Sequence, residues 1–426
     1  MTAPALLLYR AASGLFAPVA PHFLTLRARR GKEDFSRLPE RLGRARARRP
    51  DGPLAWLHGA SIGEGLALLP LVAALTRSGA HALVTTGTLS SARVVGDRLP
   101  PGAIHQFLPL DCPSFARRFL DHWRPDVAIF AESELWPNLI LETRRGGAPL
   151  FLVNARLSER SAARWRSAPG MAAALLGAFE NIFAQGAEEA ARFSSLGAPR
   201  VTIAGNLKYD VAPPPAEPQA LAQLAAAIGA RPVWVAASTH EGEEEICLAA
   251  HSILRLRFPD VLTIIAPRNA RRGRDIAALA TQTGAQAALR SADEKIAPDT
   301  QVFVADTFGE MGLWYRLASI VFVGKSLARG GGQNPIEPAK LGAAILHGAS
   351  VENFIDAYAA LDAAGGGARV HDAAELASRL AALFADPARA RAMARAAGGA
   401  VEKLSGATRI VMQAIGPILA ARGAAS

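Results

Sequence analysis

At 426 residues, half of them hydrophobic and a fifth charged, with 28 prolines and 38 glycines, the chain reads as globular, which excludes wholesale disorder, collagen-like and low-complexity classes. Roughly 150 residues per domain predicts two or three domains, and two distant cysteines, Cys112 and Cys247, exclude a disulfide framework or a zinc cluster and point to a reducing compartment. Of the formal net charge of +10, +8 sits in residues 1–50, with eleven Lys/Arg against three acids, so the high pI is no argument for nucleic-acid binding.

Residues 5–26, ALLLYRAASGLFAPVAPHFLTL, are largely apolar and run into RARRGK. Arg10, Pro18 and Pro21 interrupt the run of about 20 residues that a spanning helix needs. The positive charge follows the apolar part, the reverse of a cleaved signal. The pattern predicts a membrane foot over residues 1–50 that meets anionic headgroups with its arginines. An amphipathic helix packing on its own domain is the alternative.

From there one pattern repeats: a short apolar run, a glycine- or acid-rich turn, then an Ala/Leu-rich helix. The first series comprises runs 54–58, 82–86, 104–110, 126–131, 148–154, 181–185 and 201–206; the second comprises 232–238, 261–267, 300–306, 318–324 and 343–348. Such alternation predicts parallel sheets in doubly wound α/β layers. The stretch VAPPPAEPQ (211–219) reads as a linker, which gives a first Rossmann-like domain over 51–210 and a second, ending in helices, over 220–426, with a cleft between them.

Ligands of open α/β sheets sit beyond the carboxyl ends of strands. After run 54–58 comes GASIGEG, with Glu64 at a helix start whose dipole favours an ionised carboxylate, fitting either a general base or an ordinary first-turn acid. The same segment matches G-x-S-x-G, so Ser61 is a candidate hydrolase nucleophile. After run 126–131 comes ESELWPN, where Glu132 and Glu134 share a face if the segment is extended; they bind substrate or form a solvated turn. Lys208 follows run 201–206.

In the second half Ser238 and Glu241 have the spacing of a capping box, with free N–H groups for an anion. Run 261–267 ends at Arg268, a fork suited to phosphate. Gly309, Glu310 and Met311 open a helix. Gly330, Gly331 and Gly332 form a candidate anion nest with Ser238. Pro335 is placed to start a helix with Glu337 in its first turn, suited to ribose hydroxyls. Each has a capping or turn explanation, yet all converge on one rim. P-loop and G-x-G-x-x-G patterns are missing, and no D-x-D sits in a metal-binding acidic cluster.

The ordered series LHGASIGEG, FLPLDCP, RFLDHWRPD, ESELWPNLI, NARLSERS, GNLKYD, STHEGEEE, APR, DTFGEMGLWY and GGQNPIEP resembles the 3-deoxy-D-manno-octulosonic acid (Kdo) transferases from about residue 10 to 420. The resemblance implies a GT-B fold attached to the inner membrane, with two Rossmann-like domains facing each other across a cleft, acceptor domain first. It implies inverting transfer of Kdo from CMP-Kdo to the lipid A precursor, with no metal or cofactor and with anionic inner-membrane lipids as partners. It makes Glu64 the general base and Glu132 and Lys208 transition-state stabilisers. CMP contacts would fall to Pro267 and Arg268, to Phe308, Gly309, Glu310 and Met311, and to Asn334, Pro335, Ile336 and Glu337. Departures from the family pattern are Asn269 and Gln333 in place of histidines, and Lys325 in place of a glycine. The alternatives are a transferase of the same fold with another nucleotide sugar or acceptor, and a serine hydrolase using Ser61.

Overall fold

The computed structural model describes residues 4–328 and 330–423; the outer ends of the expected 1–50 and 220–426 segments lie outside the described residues. The chain forms two compact units, one running to Val211 and completed by the stretch from Ser405, the other covering Ala212–Leu404.

The first unit is built on strands β1 (Leu54–His58), β2 (His81–Thr86), β3 (Ala103–Phe107), β4 (Val127–Ala131), β5 (Leu150–Ala155), β6 (Asn181–Ala184) and β7 (Val201–Ile203). They pair in parallel in the order β3-β2-β1-β4-β5-β6-β7. Buried on both faces, the strands read as continuous apolar runs, as parallel sheets require. Trp56, Phe130 and Leu152 join Phe119 and Trp123 in one core. Leu57, Ile129 and Val153 face the other way, towards Leu68, Leu71 and Leu75. This second core also takes Val411, Ile415 and Leu419 from the helix Ala407–Gly423. The last helix thus belongs to the first unit, correcting the expected 220–426 boundary, because its apolar stripe has its partners there.

The second unit carries β8 (Val233–Thr239), β9 (Leu262–Pro267), β10 (Ala287–Leu289), β11 (Val302–Val304), β12 (Ile320–Val323), β13 (Ala344–His347) and β14 (Gly367–Arg369), in the parallel order β10-β11-β9-β8-β12-β13-β14. The proline stretch is only partly a linker. Pro218 already opens the helix Pro218–Ile228, capped by Glu217. The carbonyls of Pro214 and Pro215 lie where any Cβ at Gly312 would collide, and Arg316 donates to Pro214 O at 2.8 Å.

The apolar N-terminal residues form two short helices, Pro4–Phe16 and Ala20–Arg29. Leu6, Ala20 and Leu24 are buried, whereas Leu7, Leu8, Leu15, Phe16, Val19, Phe23 and Leu26 are exposed. Tyr9 donates to Asp111 at 2.9 Å and Arg10 to Glu142 at 2.6 Å, tying the first helix to its unit. The basic segment is also less free than its charge suggests. Arg10, Arg27, Arg37, Arg41 and Arg49 all pair with acids of the same unit, which leaves Arg29, Arg30, Lys32, Arg44, Arg46 and Arg48 exposed.

Candidate active site

The strand order reverses between β1 and β4 in the first sheet and, at its centre, between β8 and β12 in the second, the kind of place where doubly wound folds bind their ligands. Of the six non-glycine residues with left-handed backbone among the described residues, four lie at carboxyl ends of strands: Glu132 (φ 53) after β4, Asn154 (φ 52) in β5, Ser238 (φ 56) in β8 and Lys325 (φ 58) after β12. Such conformations cost about 1–3 kcal/mol each and persist where surrounding structure imposes them.

In the first unit the loop after β1 enters the helix Ile62–Arg77 with Ser61 as N-cap. Ala60 N–H donates to Glu64 Oε2 at 2.7 Å and Ser61 Oγ–H to Oε1 at 2.7 Å. The carboxylate is thereby fixed at the helix N-terminus while remaining partly exposed. Gly59 permits this, since a Cβ there would come within 3.0 Å of Glu64. Ser61 has ordinary extended backbone, φ −97, not the strained turn of a nucleophile elbow. Its hydroxyl serves Glu64, and His58, buried in β1, lies 3.2 Å from Glu134 instead. The hydrolase alternative has no activated serine.

Glu132 and Glu134 do not share a face. The left-handed turn at Glu132 separates them, which corrects the extended reading. Glu132 Oε1 accepts from Lys208 Nζ at 3.3 Å, while Glu134 accepts from His58 at 3.2 Å and from Trp136 Nε1 at 2.7 Å. Burial would push the Glu134 carboxyl up, but the His58 and Trp136 contacts hold it below the usual carboxylate range. Lys208 is brought in by a 3-10 turn, Leu207–Asp210. A cavity of about 580 Å³ lined by Arg117, Arg124, Arg145 and Glu142 opens at the amino ends of β4 and β5, away from these residues.

In the second unit the expected capping box does not form. Ser238 lies inside β8, at its register shift, and the helix Glu243–Arg255 starts one turn later behind Gly242 (φ 92). Glu243, fully buried, supplies the contacts instead. Its carboxylate accepts N–H groups of His240 (3.0 Å), Lys325 (2.6 Å), Ser326 (2.9 Å) and Leu327 (3.0 Å), joining the ends of β8 and β12 across the switch point. Gly324 is needed for that approach, because a Cβ would lie 2.6 Å from Ser238 O. Neighbouring Glu244, also buried, takes Thr239 and Arg272 at 2.9 Å; burial nevertheless pushes it above the usual range.

The glycine loop is likewise not an open anion nest. Gly330 and Gly331 N–H donate to Ser350 Oγ at 3.2 and 2.9 Å, Gly332 N–H donates to Lys325 O at 2.7 Å, and Asn353 bridges the carbonyls of Gly330 and Gly332. What the loop does is aim its continuation. Asn334 Oδ1 accepts from Ile336 N–H at 3.0 Å and its Nδ2 donates to Glu337 at 3.2 Å, with Pro335 as N-cap of Ile336–Lys340.

Pro267 ends β9 and Arg268 follows it, exposed. Glu310 is gripped by Arg290 at 2.7 and 3.1 Å and by Thr307, and these contacts hold its carboxyl below the usual range. Phe308 is 81% exposed beside Gly309 (φ 85), and Met311 begins the next helix. Asn269 caps a 3-10 turn through Arg271 N–H, and Gln333 O accepts from Tyr358. Sequence reasoning missed Asn154, Glu243 and Arg290; the left-handed strand end and the acid run THEGEEE were the available signals.

A family model described as 3-deoxy-D-manno-octulosonic-acid transferase matches residues 36–211. The chain is 37% identical over 415 residues to a 3-deoxy-D-manno-octulosonic acid transferase of Bordetella pertussis, covering 94% of this chain and 96% of that one. It is 38% identical to a probable mitochondrial 3-deoxy-D-manno-octulosonic acid transferase of Arabidopsis thaliana, covering 82% and 80%. Among solved structures, a glycosyltransferase of Rickettsia africae aligns with a TM-score of 0.55 at 12% identity, covering 87% of this chain and 99% of that one. A UDP-GlcNAc 2-epimerase of Neisseria meningitidis aligns with a TM-score of 0.56 at 13% identity, covering 85% and 99%. The two structures speak to the fold, GT-B; the relatives settle the family. With two doubly wound units, a helix-capped carboxylate after β1 and a Glu132–Lys208 pair after β4, the chain belongs to the 3-deoxy-D-manno-octulosonic acid transferases, a family of glycosyltransferases.

Proposed function

We propose that this enzyme moves Kdo from CMP-Kdo, with inversion, to a hydroxyl of the lipid A precursor at the cytoplasmic face of the inner membrane. The observation that carries the reading is the Glu64 carboxylate, held by Ala60 N–H and Ser61 O–H yet open to solvent. The two donors fix the carboxylate at the helix N-terminus, facing solvent. As general base it takes the acceptor hydroxyl proton while the oxygen bonds to the anomeric carbon and the bond to the CMP phosphate oxygen breaks. The electron pair leaves with CMP. The Glu132 carboxylate supports the positive charge developing at the sugar ring, and the Lys208 ammonium offsets the negative charge of the reactants.

CMP falls to the second unit: the Arg268 fork to phosphate, Phe308 to the base, Glu337 to the ribose hydroxyls. Glu310 is engaged by Arg290 and Asp306 by Ser291, and in this reading the reaction uses no metal. The N-terminal helices, 13 and 10 residues long, lie on the membrane rather than cross it, apolar side chains down and Arg29, Arg30 and Lys32 against headgroups. The test is mass spectrometry of products from CMP-Kdo and lipid A precursor. Wild type should add Kdo, and Glu64→Gln should lose 10²–10⁴-fold in rate while still binding CMP. Transfer by Glu64→Gln within about threefold of wild type rules out the base.

A further inference from the structure

One strand end holds both members of the Glu132–Lys208 pair. Val153 O accepts the Glu132 N–H at 3.0 Å, and the next residue, Asn154, accepts the Leu207 N–H on its Oδ1 at 3.0 Å. Leu207 is fully buried, so this bond fixes where the turn carrying Lys208 begins. A second path reaches the same turn. Gln185 Nε2 donates to Asn154 O at 2.9 Å, Asn206 Nδ2 donates to Gln185 Oε1 at 3.3 Å, and Lys208 N–H donates to Asn206 Oδ1 at 3.0 Å.

Stability alone is a poor reason for this arrangement. Asn154 is 1% exposed and left-handed, and its Nδ2 has no hydrogen-bond partner. The amide cannot be turned over to satisfy it, because Nδ2 would then face the Leu207 N–H. A buried orphan donor on a strained backbone is a cost, tolerated here at the point where the ammonium is aimed.

We propose that Asn154 is a positioning residue for transfer, which sets the place of the Lys208 ammonium beside Glu132 through Leu207 N–H and the Gln185–Asn206 relay. This rests on Lys208 acting in the transition state. Asparagine suits the post because its short side chain tolerates left-handed backbone while accepting a bond locally.

The test is steady-state kinetics on Asn154→Ala, Asn154→Asp, Asn206→Ala, Lys208→Ala and the double variant N154A/K208A, with thermal unfolding run in parallel. Asn154→Ala should lower kcat about tenfold to a hundredfold, the scale of a misplaced group, with donor KM within about threefold. Asn206→Ala, outside the buried strand end, should show a weaker form of the same signature. Asn154→Asp keeps an acceptor oxygen and the backbone tolerance and should recover most of kcat. In the Lys208→Ala background, Asn154→Ala should add nothing to the loss. Full multiplication of the two losses, an Asp variant as slow as the Ala variant, or Asn154→Ala within twofold of wild type while Lys208→Ala is slow, each overturns this inference alone. Lys208→Ala at the wild-type rate overturns it together with the role given to Lys208.

Discussion

Glu243→Gln removes a buried carboxylate that accepts four backbone N–H groups within 3.0 Å, two on each oxygen, and a fifth, from Ala328, at 3.5 Å. Glutamine keeps one oxygen and turns an NH₂ towards the other two donors. Two charge-assisted bonds, each contributing about 1.5–3 kcal/mol, are lost, and the remaining two fall towards the neutral value of about 1 kcal/mol. Allowing the partly exposed Lys325 N–H to find water, the second unit should lose about 3–5 kcal/mol, a large part of a typical domain stability. Because loop 324–333 leads into Asn334 and Glu337, CMP affinity should fall at least about tenfold. The assays are urea unfolding and calorimetric titration with CMP, with Glu245→Gln, an exposed neighbour in the same acid run, as control. A Glu243→Gln protein within about 1 kcal/mol of wild type and with unchanged CMP affinity refutes the bridging role.

Ser61→Ala should cost about 1 kcal/mol of stability through the lost cap and slow transfer without abolishing it; complete loss of activity with Glu64 intact would restore the hydrolase reading. Arg268→Ala and Glu337→Ala should each weaken CMP binding by roughly 1.5–3 kcal/mol in calorimetry, and unchanged affinity in both removes CMP from this rim. Burial, and then the Arg37 guanidinium, push His105 from 6.5 down to about 4. The unfolded chain therefore takes up this proton first, so stability present above pH 6.5 declines as pH falls towards 4, by up to about 3 kcal/mol; urea unfolding at pH 7 and 4.5 should show that decline flattened in His105→Gln, and an unchanged slope refutes it. Arg29→Gln, Arg30→Gln and Lys32→Gln together should reduce sedimentation with anionic liposomes in a salt-dependent way, leaving transfer in detergent intact; equal sedimentation places the membrane contact elsewhere.

The strands with β-branched or aromatic runs were legible because burial on both faces leaves an unbroken apolar signature. Strands β10 and β14, Ala-Ala-Leu and Gly-Ala-Arg, are three-residue edge strands without it. Glu64, Glu132 and Lys208 were reachable from strand ends and family motifs. Their geometry was not, since the left-handed turn at Glu132 sends Glu134 to His58 and Trp136 instead. Glu243 was hidden among acids that local rules assign to capping, because its partners lie some eighty residues on. The eleven N-terminal cations look free in sequence for the same reason: the acids that take Arg10 and Arg49 are Glu142 and Asp126.

The return of helix Ala407–Gly423 to the first unit has a consequence for how the protein is made. Val411, Ile415 and Leu419 fill the sheet face opposite Trp56 and Phe130, and each buried aliphatic of this kind contributes about 1.5–3 kcal/mol. They are translated only after the whole of Ala212–Leu404, a continuous stretch that can complete its own core beforehand. On the ribosome the second unit can therefore finish first, while the unit holding Glu64, though begun earlier, keeps an open apolar face until the final helix emerges. A premature stop just after residue 404 would spare the second unit and leave the first as a target for chaperones and proteases.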